Sequence, residues 1–138
     1  MLALLNAAAT CYLAGLSWVV LLVVYPSFAL VGPTAQWSAF HAAHSRRIAL
    51  AVGPAWAVQG ASLAGLLLRD DHLELVVPAA LLAAATVLLT VARAVPAHQR
   101  LATYDVEILR ALRRSHAWRT AAWSFGAVLS LALVGVAS

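Results

Sequence analysis

Two histidines and two arginines lie close together in the segment His41–Ile48. His41, His44 and Arg47 follow one another at intervals of three residues, and side chains three or four positions apart are neighbours on a helix. Imidazole serves as a general acid or base near neutral pH and as a ligand for copper, iron or zinc. The segment is therefore the first candidate for chemistry, with His41 and His44 as its reactive groups.

A second set of polar side chains recurs at helical spacing along one side of the chain between residues 97 and 123. Its members are His98, Asp105, His116, Arg119 and Trp123. Ionisable groups that face the interior of a membrane bundle are costly unless they are paired or functional. We therefore predict that His98 and Asp105 join the first two histidines as catalytic residues, and that Arg119 stabilises negative charge through its planar guanidinium.

The composition predicts that helices embedded in a membrane position these residues. The 138-residue chain is 64% hydrophobic and only 10% charged, against about 25% charged residues in soluble domains. Its nine basic residues are all arginines, and they are better explained as topology signals than as a nucleic-acid surface. The single Cys11 gives no disulfide framework.

Four apolar runs are long enough to cross a hydrocarbon core, which takes roughly 20 residues of helix. The predicted spans are about residues 4–30, 48–68, 75–92 and 117–136 of a single transmembrane domain. The third is expected to stop before Pro96. Nothing from Thr34 to Arg69 breaks a helix except Pro54, which would kink it, and nothing from Ala97 onward does so before Gly126. The prediction is an all-α four-helix bundle whose second and fourth helices extend past the cytoplasmic interface.

The arginines predict the orientation. Arg46 and Arg47 lie in the first connection, six more arginines lie in or beside the third, and the second holds only Arg69 beside Asp70 and Asp71. The positive-inside rule then places both termini outside and the first and third connections in the cytoplasm. Four of the five histidines fall on that cytoplasmic side.

Each of these groups has a structural interpretation beside the functional one. A His-x-x-His pair with His98 or His116, and with Asp105 as a further donor, could hold a metal ion, but interfacial histidines more often hydrogen-bond to backbone or headgroups. Acid–base work without metal is the third possibility. Arg119 could equally extend back to the interface.

Aromatic and amide side chains near the same boundary are candidates for substrate binding. The predicted set is Tyr25, Arg47, Gln59, Trp118 and Trp123. For Tyr25, Trp37, Trp118 and Trp123 an aromatic belt at the membrane surface is the simpler interpretation. For Asn6, Gln59 and Thr90 it is hydrogen bonding between helices.

Four short motifs resemble those of a group of small bacterial four-span membrane proteins, similar in layout to the anthrone-oxygenase-like membrane proteins. They are Tyr25-Pro26-Ser27-Phe28, the His-x-x-His-Ser-Arg-Arg-Ile segment, Val95-Pro96-Ala97-His98 and Trp118-Arg119-Thr120-Ala121-Ala122-Trp123. The resemblance implies that His41, His44, Arg47, His98, Trp118 and Arg119 are the polar positions of the family. Where that family pattern has an acidic residue in the second span, this chain has Gln59.

The resemblance also implies oxidation or rearrangement of an aromatic polyketide. The resulting hypothesis is an enzyme of the bacterial inner membrane that oxygenates, isomerises or cyclises a lipophilic molecule. Its metal, if any, would be copper or iron held by His41, His44 and His98. The alternative is a non-catalytic module that binds or transports a metal, haem or lipid, or a subunit of a membrane complex. Small residues such as Gly60, Ala61 and Gly65 would favour close helix contact and a homo-oligomer.

Overall fold

The computed structural model describes residues 1–69 and 72–137, so Asp70 and Asp71, which the orientation argument used, lie outside the described residues. The described chain forms four long helices: α1 (Leu2–Val31), α2 (Trp37–Leu67), α3 (Leu73–Arg100) and α4 (Val106–Val136). Each is long and apolar enough to cross a membrane. The prediction of an all-α four-helix bundle is confirmed.

Helices α2 and α4 are each 31 residues long, or roughly 46 Å at 1.5 Å per residue. Their predicted extra length is therefore confirmed. It is not a special property of these two, since α1 has 30 residues and α3 has 28. Helix α2 also runs without interruption through Pro54.

The boundary between α3 and α4 differs from the prediction. Helix α3 does not stop before Pro96 but continues to Arg100, and a turn separates it from α4. Helix α4 begins because Asp105 caps it: one carboxylate oxygen accepts hydrogen bonds from the backbone N–H groups of Glu107 (2.8 Å) and Ile108 (3.1 Å), as N-terminal aspartates commonly do.

Helices α1 and α3 share an irregularity. Each contains one π-helical turn, at Val20–Val24 and at Thr90–Ala94, and in each a proline follows two residues after the turn, at Pro26 and Pro96. A proline lacks the N–H that would bond four residues back, and its ring crowds that carbonyl. A wider π turn at this point relieves the crowding and lets the helix continue.

Packing places α1 and α4 at the centre of the bundle. They pack closely against each other, α2 packs on α1, and α3 packs on α4. Helices α2 and α3 are the least closely packed neighbouring pair, so the bundle is looser along that side.

A polar network joins α1, α2 and α4 towards the N-terminus of α1. Asn6 donates to Ser62 (3.2 Å) and accepts from Ser130 (2.6 Å), and Gln59 donates to Thr10 (3.0 Å). All five side chains are buried. The prediction that Asn6 and Gln59 bond between helices is confirmed, and the network fixes the register of these three helices.

Aromatic rings close the opposite end of the bundle. Phe28 packs edge-on against Trp37 and Phe40, and Trp37 packs edge-on against Tyr104. The indole N–H of Trp37 donates to the Leu101 carbonyl oxygen at 2.8 Å. Trp37 is thus a buried core residue, not the surface belt residue that its position suggested, because the turn after α3 folds over it.

Candidate functional site

A cavity of about 360 Å³ lies between the four helices, next to the aromatic cluster. Its walls are mostly apolar, from residues such as Leu13, Leu16, Ile48 and Val52. One end is polar, where every helix contributes a side chain: Tyr25 from α1, His44 from α2, His98 and Thr90 from α3, and His116 and Arg119 from α4. An apolar cavity with a few convergent polar groups is typical of a small-molecule site.

The first polar group is a pair of hydrogen-bonded histidines. His41 Nε2 lies 3.1 Å from His98 Nδ1, so one of the two nitrogens carries the proton and the other accepts it. His41 is buried behind His98, stacked between it and Trp37 at ring-centroid distances of 5.4 and 5.1 Å. His98 lines the cavity and His41 does not. His41 therefore positions the ring of His98.

The pairing uses Nδ1 of His98 and leaves Nε2, which has no hydrogen-bond partner among residues 1–69 and 72–137, for a molecule in the cavity. If Nδ1 of His98 holds the shared proton, Nε2 is unprotonated and can act as a base. If His41 donates instead, the neutral ring of His98 carries its proton on Nε2 and can act as an acid. His44 also lines the cavity, with its ring 6.2 Å from that of His98 and 4.9 Å from that of Phe28.

The second polar group is the guanidinium of Arg119, which is only 7% exposed. Its Nη1 donates to the Thr90 hydroxyl at 2.9 Å, and its Nη2 lies 2.5 Å from Nδ1 of His116. On the far side of the His116 ring, Nε2 lies 2.9 Å from the Ser17 carbonyl oxygen. A carbonyl only accepts and a guanidinium only donates, so His116 must donate from Nε2 and accept at Nδ1. Helices α1 and α3 thereby fix the arginine from both sides.

The charge of Arg119 has no acidic partner within residues 1–69 and 72–137. The salt bridges of this part of the chain join His72 to Glu74 and Arg110 to Glu107, both on the exterior. A buried charge without a counter-charge costs several kcal/mol. A buried, unpaired guanidinium of this kind favours the binding of an anion or of an oxygen that becomes anionic during a reaction.

Three buried N–H groups around the cavity have no hydrogen-bond acceptor in the part of the chain that the structure describes. They are Nε of Arg119 and the indole Nε1 of Trp56 and of Trp123, and all three residues line the cavity. Unsatisfied buried donors are rare in proteins because each carries a desolvation cost. Here all three belong to residues that line one cavity, which favours a ligand with acceptor oxygens.

Tyr25 joins the two polar groups. Its ring centroid lies 5.0 Å from that of His116 and 6.5 Å from that of His98, and its phenol interacts with the Arg119 guanidinium. Tyr25 is buried and lines the cavity. The structure thus places it inside the site, where its hydroxyl can contact a bound molecule.

The other predicted site residues lie elsewhere. Asp105, expected on the inward face, is exposed and caps α4. Arg47 and Trp118 are exposed and do not line the cavity. Gln59 is buried but bonds Thr10 in the polar network. The reason is geometric: these side chains lie on other helix faces or before the helix begins.

Thr90 and Trp56 belong to the site, although neither residue stands out in the sequence as functional. Thr90 was expected only to bond between helices, which it does by accepting from Arg119. Trp56 lies in the middle of an apolar run. That its indole N–H is unpaired could not be predicted without knowing how α2 and α4 pack against each other.

Among the described residues, no group of three His, Cys, Asp or Glu side chains is arranged to hold a metal ion. His41 and His98 instead bond directly to each other. The predicted copper or iron site at His41, His44 and His98 gains no support from this donor set.

The fold and the cavity together define a class of protein, an all-helical bundle of membrane-spanning length with a polar site inside one end. No protein-family model, curated protein or solved structure matches the chain. The case for a function therefore comes from the geometry of the site.

Proposed function

We propose that the protein is a membrane-embedded enzyme that removes a proton from a lipophilic carbonyl compound and stabilises the resulting enolate. Oxygenation, isomerisation and cyclisation, the reactions that the anthrone-oxygenase resemblance suggests, can all begin with this step. The observation that carries the proposal is the buried Arg119, which lacks an acidic partner among the described residues and keeps Nε unpaired beside the His41–His98 pair.

The positions of the side chains support a proton transfer to His98. Nε2 of His98 takes a proton from the carbon next to, or conjugated with, the carbonyl. The electron pair of the broken C–H bond forms a C=C bond, and the carbonyl oxygen becomes an enolate oxygen. The N–H groups of Arg119 and Trp123 stabilise the new charge, because donors aimed at a developing oxyanion bind it more strongly than the neutral oxygen.

Return of the proton from His98 to a different carbon completes an isomerisation. In a cyclisation the enolate carbon attacks a second carbonyl of the same molecule, and the oxygen of that carbonyl, now an alkoxide, takes the proton from His98. Oxygenation needs molecular oxygen as a further reactant. All three share the base and the anion stabiliser, so the site by itself supports the common first step.

We further propose that the site lies at the cytoplasmic mouth of a bundle in the bacterial inner membrane, with both termini outside. The exposed arginines Arg93, Arg100, Arg110, Arg113 and Arg114 support this orientation, because they lie at the same end of the bundle as the site and arginines are enriched in cytoplasmic connections. The bilayer is then the source of the substrate. A second copy of the chain remains a further candidate partner.

The test uses anthrone, whose ring methylene is acidic through conjugation with its carbonyl. The full-length protein in liposomes is incubated with anthrone in deuterated water without oxygen, and deuterium uptake at the methylene is followed by mass spectrometry. We expect exchange faster than in empty liposomes, loss of the excess in His98→Ala and Arg119→Gln, and retention in Arg114→Gln, which changes an exposed arginine of the same helix.

The same experiment separates the enzyme from a non-catalytic binding module. Anthrone that binds to the wild type without faster exchange would overturn the catalytic proposal and favour the binding alternative. Exchange that survives in both His98→Ala and Arg119→Gln would overturn the assignment of these residues. Loss of assembly in the variants would favour a subunit of a larger complex.

A further inference from the structure

We propose that the cavity receives its substrate sideways from the bilayer, through a slot between α2 and α3 bounded by Ala49, Gly53 and Val95. The substrate class is a single-tailed lipophile with one anionic or enolate-forming oxygen, which reaches Arg119 while the tail lies in the slot. This inference rests on the proposed function for the oxygen-binding end of the cavity. The slot itself rests on separate observations about the walls of the cavity.

The first observation is that the cavity wall is open on this side. Ala49, Gly53 and Val95 line the cavity and are exposed on the surface of the bundle. A residue that both lines an internal space and reaches the exterior lies at an opening. The opening falls between the two helices that pack least closely against each other.

A second, smaller depression continues the opening along the same seam. It is lined by Ser45, Ile48, Val95, His98 and Gln99. Three of these, Ile48, Val95 and His98, also line the main cavity. The two spaces therefore meet at His98, and a molecule in the seam lies directly beside the proposed base.

The opposite wall is closed. There Leu13 and Ser17 of α1 and His116 and Trp123 of α4 line the cavity and are all buried. These two helices form the tightly packed centre of the bundle. The seam between α2 and α3, the least closely packed neighbouring pair, is therefore the route that we assign to an occupant that comes through the helix walls.

Each side of the slot carries a feature at which a helix bends easily. On α2, Gly53 has no side chain, a Cβ added there would meet nothing within 4 Å, and Pro54 follows it. On α3, the π turn Thr90–Ala94 lies across from it and contributes Thr90 and Ala94 to the cavity wall. Helices bend most easily at prolines and π turns, so the slot can widen without breaking regular helix.

The chemistry of the walls selects the occupant. The surfaces around Ala49, Gly53 and Val95 are apolar, as the tail of a lipophile requires, whereas the three unpaired N–H groups and the guanidinium charge lie inside. A neutral hydrocarbon would leave those donors unsatisfied. A two-tailed phospholipid would bring a large headgroup into a space of about 360 Å³.

The probe for the test is a long-chain fatty acid with a photoreactive diazirine in its tail, supplied to the full-length protein in liposomes. After illumination, mass spectrometry locates the labelled peptides. We expect labels on the α2 segment with Ala49 and Gly53 and on the α3 segment with Val95. Gly53→Leu fills the slot, and we expect it to lower this labelling about tenfold or more, as does Arg119→Gln through loss of the charged contact.

Gly60→Leu is the matched control, since Gly60 is an exposed glycine of the same helix with open space around it and does not line the cavity. Labelling that persists in Gly53→Leu but falls in Arg119→Gln would overturn the slot and leave the oxygen-binding end intact. Labelling that is insensitive to Arg119→Gln would overturn the proposed anion site instead. A fall of equal size in Gly60→Leu, or no labelling of the wild type, would overturn the slot and its occupant.

Discussion

Replacement of Arg119 by glutamine separates a functional arginine from a structural one, because the two roles predict different changes in stability. The side chain is 7% exposed, makes two hydrogen bonds, to Thr90 and His116, and interacts with the Tyr25 phenol, while its Nε is unpaired. It has no acidic partner among the described residues. Glutamine removes the charge but keeps an amide donor.

The expected change in the free energy of unfolding combines two opposing contributions. Release of a buried charge recovers several kcal/mol of desolvation cost. Loss of two hydrogen bonds to a charged donor costs about 1.5 to 3 kcal/mol each. Because the two contributions nearly cancel, we expect the free energy of unfolding of Arg119→Gln to lie within about 1 kcal/mol of the wild type, whereas removal of one partner from a buried ion pair costs about 3 to 5 kcal/mol.

Ligand binding should respond much more strongly. Truncation of one member of a buried charged contact costs about 2 to 5 kcal/mol of binding free energy, or roughly 30-fold to several thousand-fold in Kd. The fatty-acid probe should therefore lose nearly all specific binding to a protein that is still folded.

The assay is thermal unfolding in detergent, followed by circular dichroism, beside equilibrium binding of the same probe. Arg114→Gln, an exposed position on α4, is the control and should change neither quantity appreciably. A variant that unfolds more easily by about 3 kcal/mol or more, the range expected for a broken ion pair, would refute the reasoning. Arg119 would then be a structural residue that stabilises the fold through a further contact.

Three further substitutions test the fold around the site. Gly32→Ala should destabilise the protein by about 1 to 3 kcal/mol in denaturant unfolding, because the new methyl group would collide with the Tyr104 ring. The control Gly15→Ala, which adds a methyl group in open space, should leave the stability unchanged. Equal stabilities of the two variants would mean that the turn around Tyr104 moves freely. Asp105→Ala should cost about 1 kcal/mol of stability through loss of the helix cap, with anthrone exchange unchanged, and lost exchange would restore Asp105 as a catalytic candidate. In the same unfolding assay, Ser130→Ala should lower the free energy of unfolding by about 0.6 kcal/mol, a typical value for a hydrogen bond between membrane helices. A change in binding of the fatty-acid probe would show that the polar network acts on the site.

The sequence was sufficient to predict the helices and that several of the singled-out polar side chains lie together at one end of the bundle. The apolar runs predicted four helices, and the spacing of His41 and His44 together with His98 and Arg119 predicted that these side chains meet near one end. Sequence periodicity works here because a helix in an apolar environment can place an ionisable side chain inside only if something there binds it.

The errors came from extending a periodicity too far. Steps of three residues fall about 60° short of a full turn, so Arg47, two steps from His41, has rotated about 120° away and is exposed. Asp105 was assigned to the inward face by continuing α4 backwards through the turn that precedes it. Neither error could be recognised without knowing where the helix begins and which face is buried.

The repeated π turn explains how so short a chain builds a site with side chains from every helix. In α1 and α3 a π turn precedes a proline, and the residue two positions after that proline, Phe28 or His98, lies against the rings of His41 and His44. A π turn inserts one residue and rotates everything beyond it by about 100°. The same rotation thus turns a ring towards α2 in both helices. In α1 this ring is the apolar Phe28, and in α3 it is His98, the proposed base.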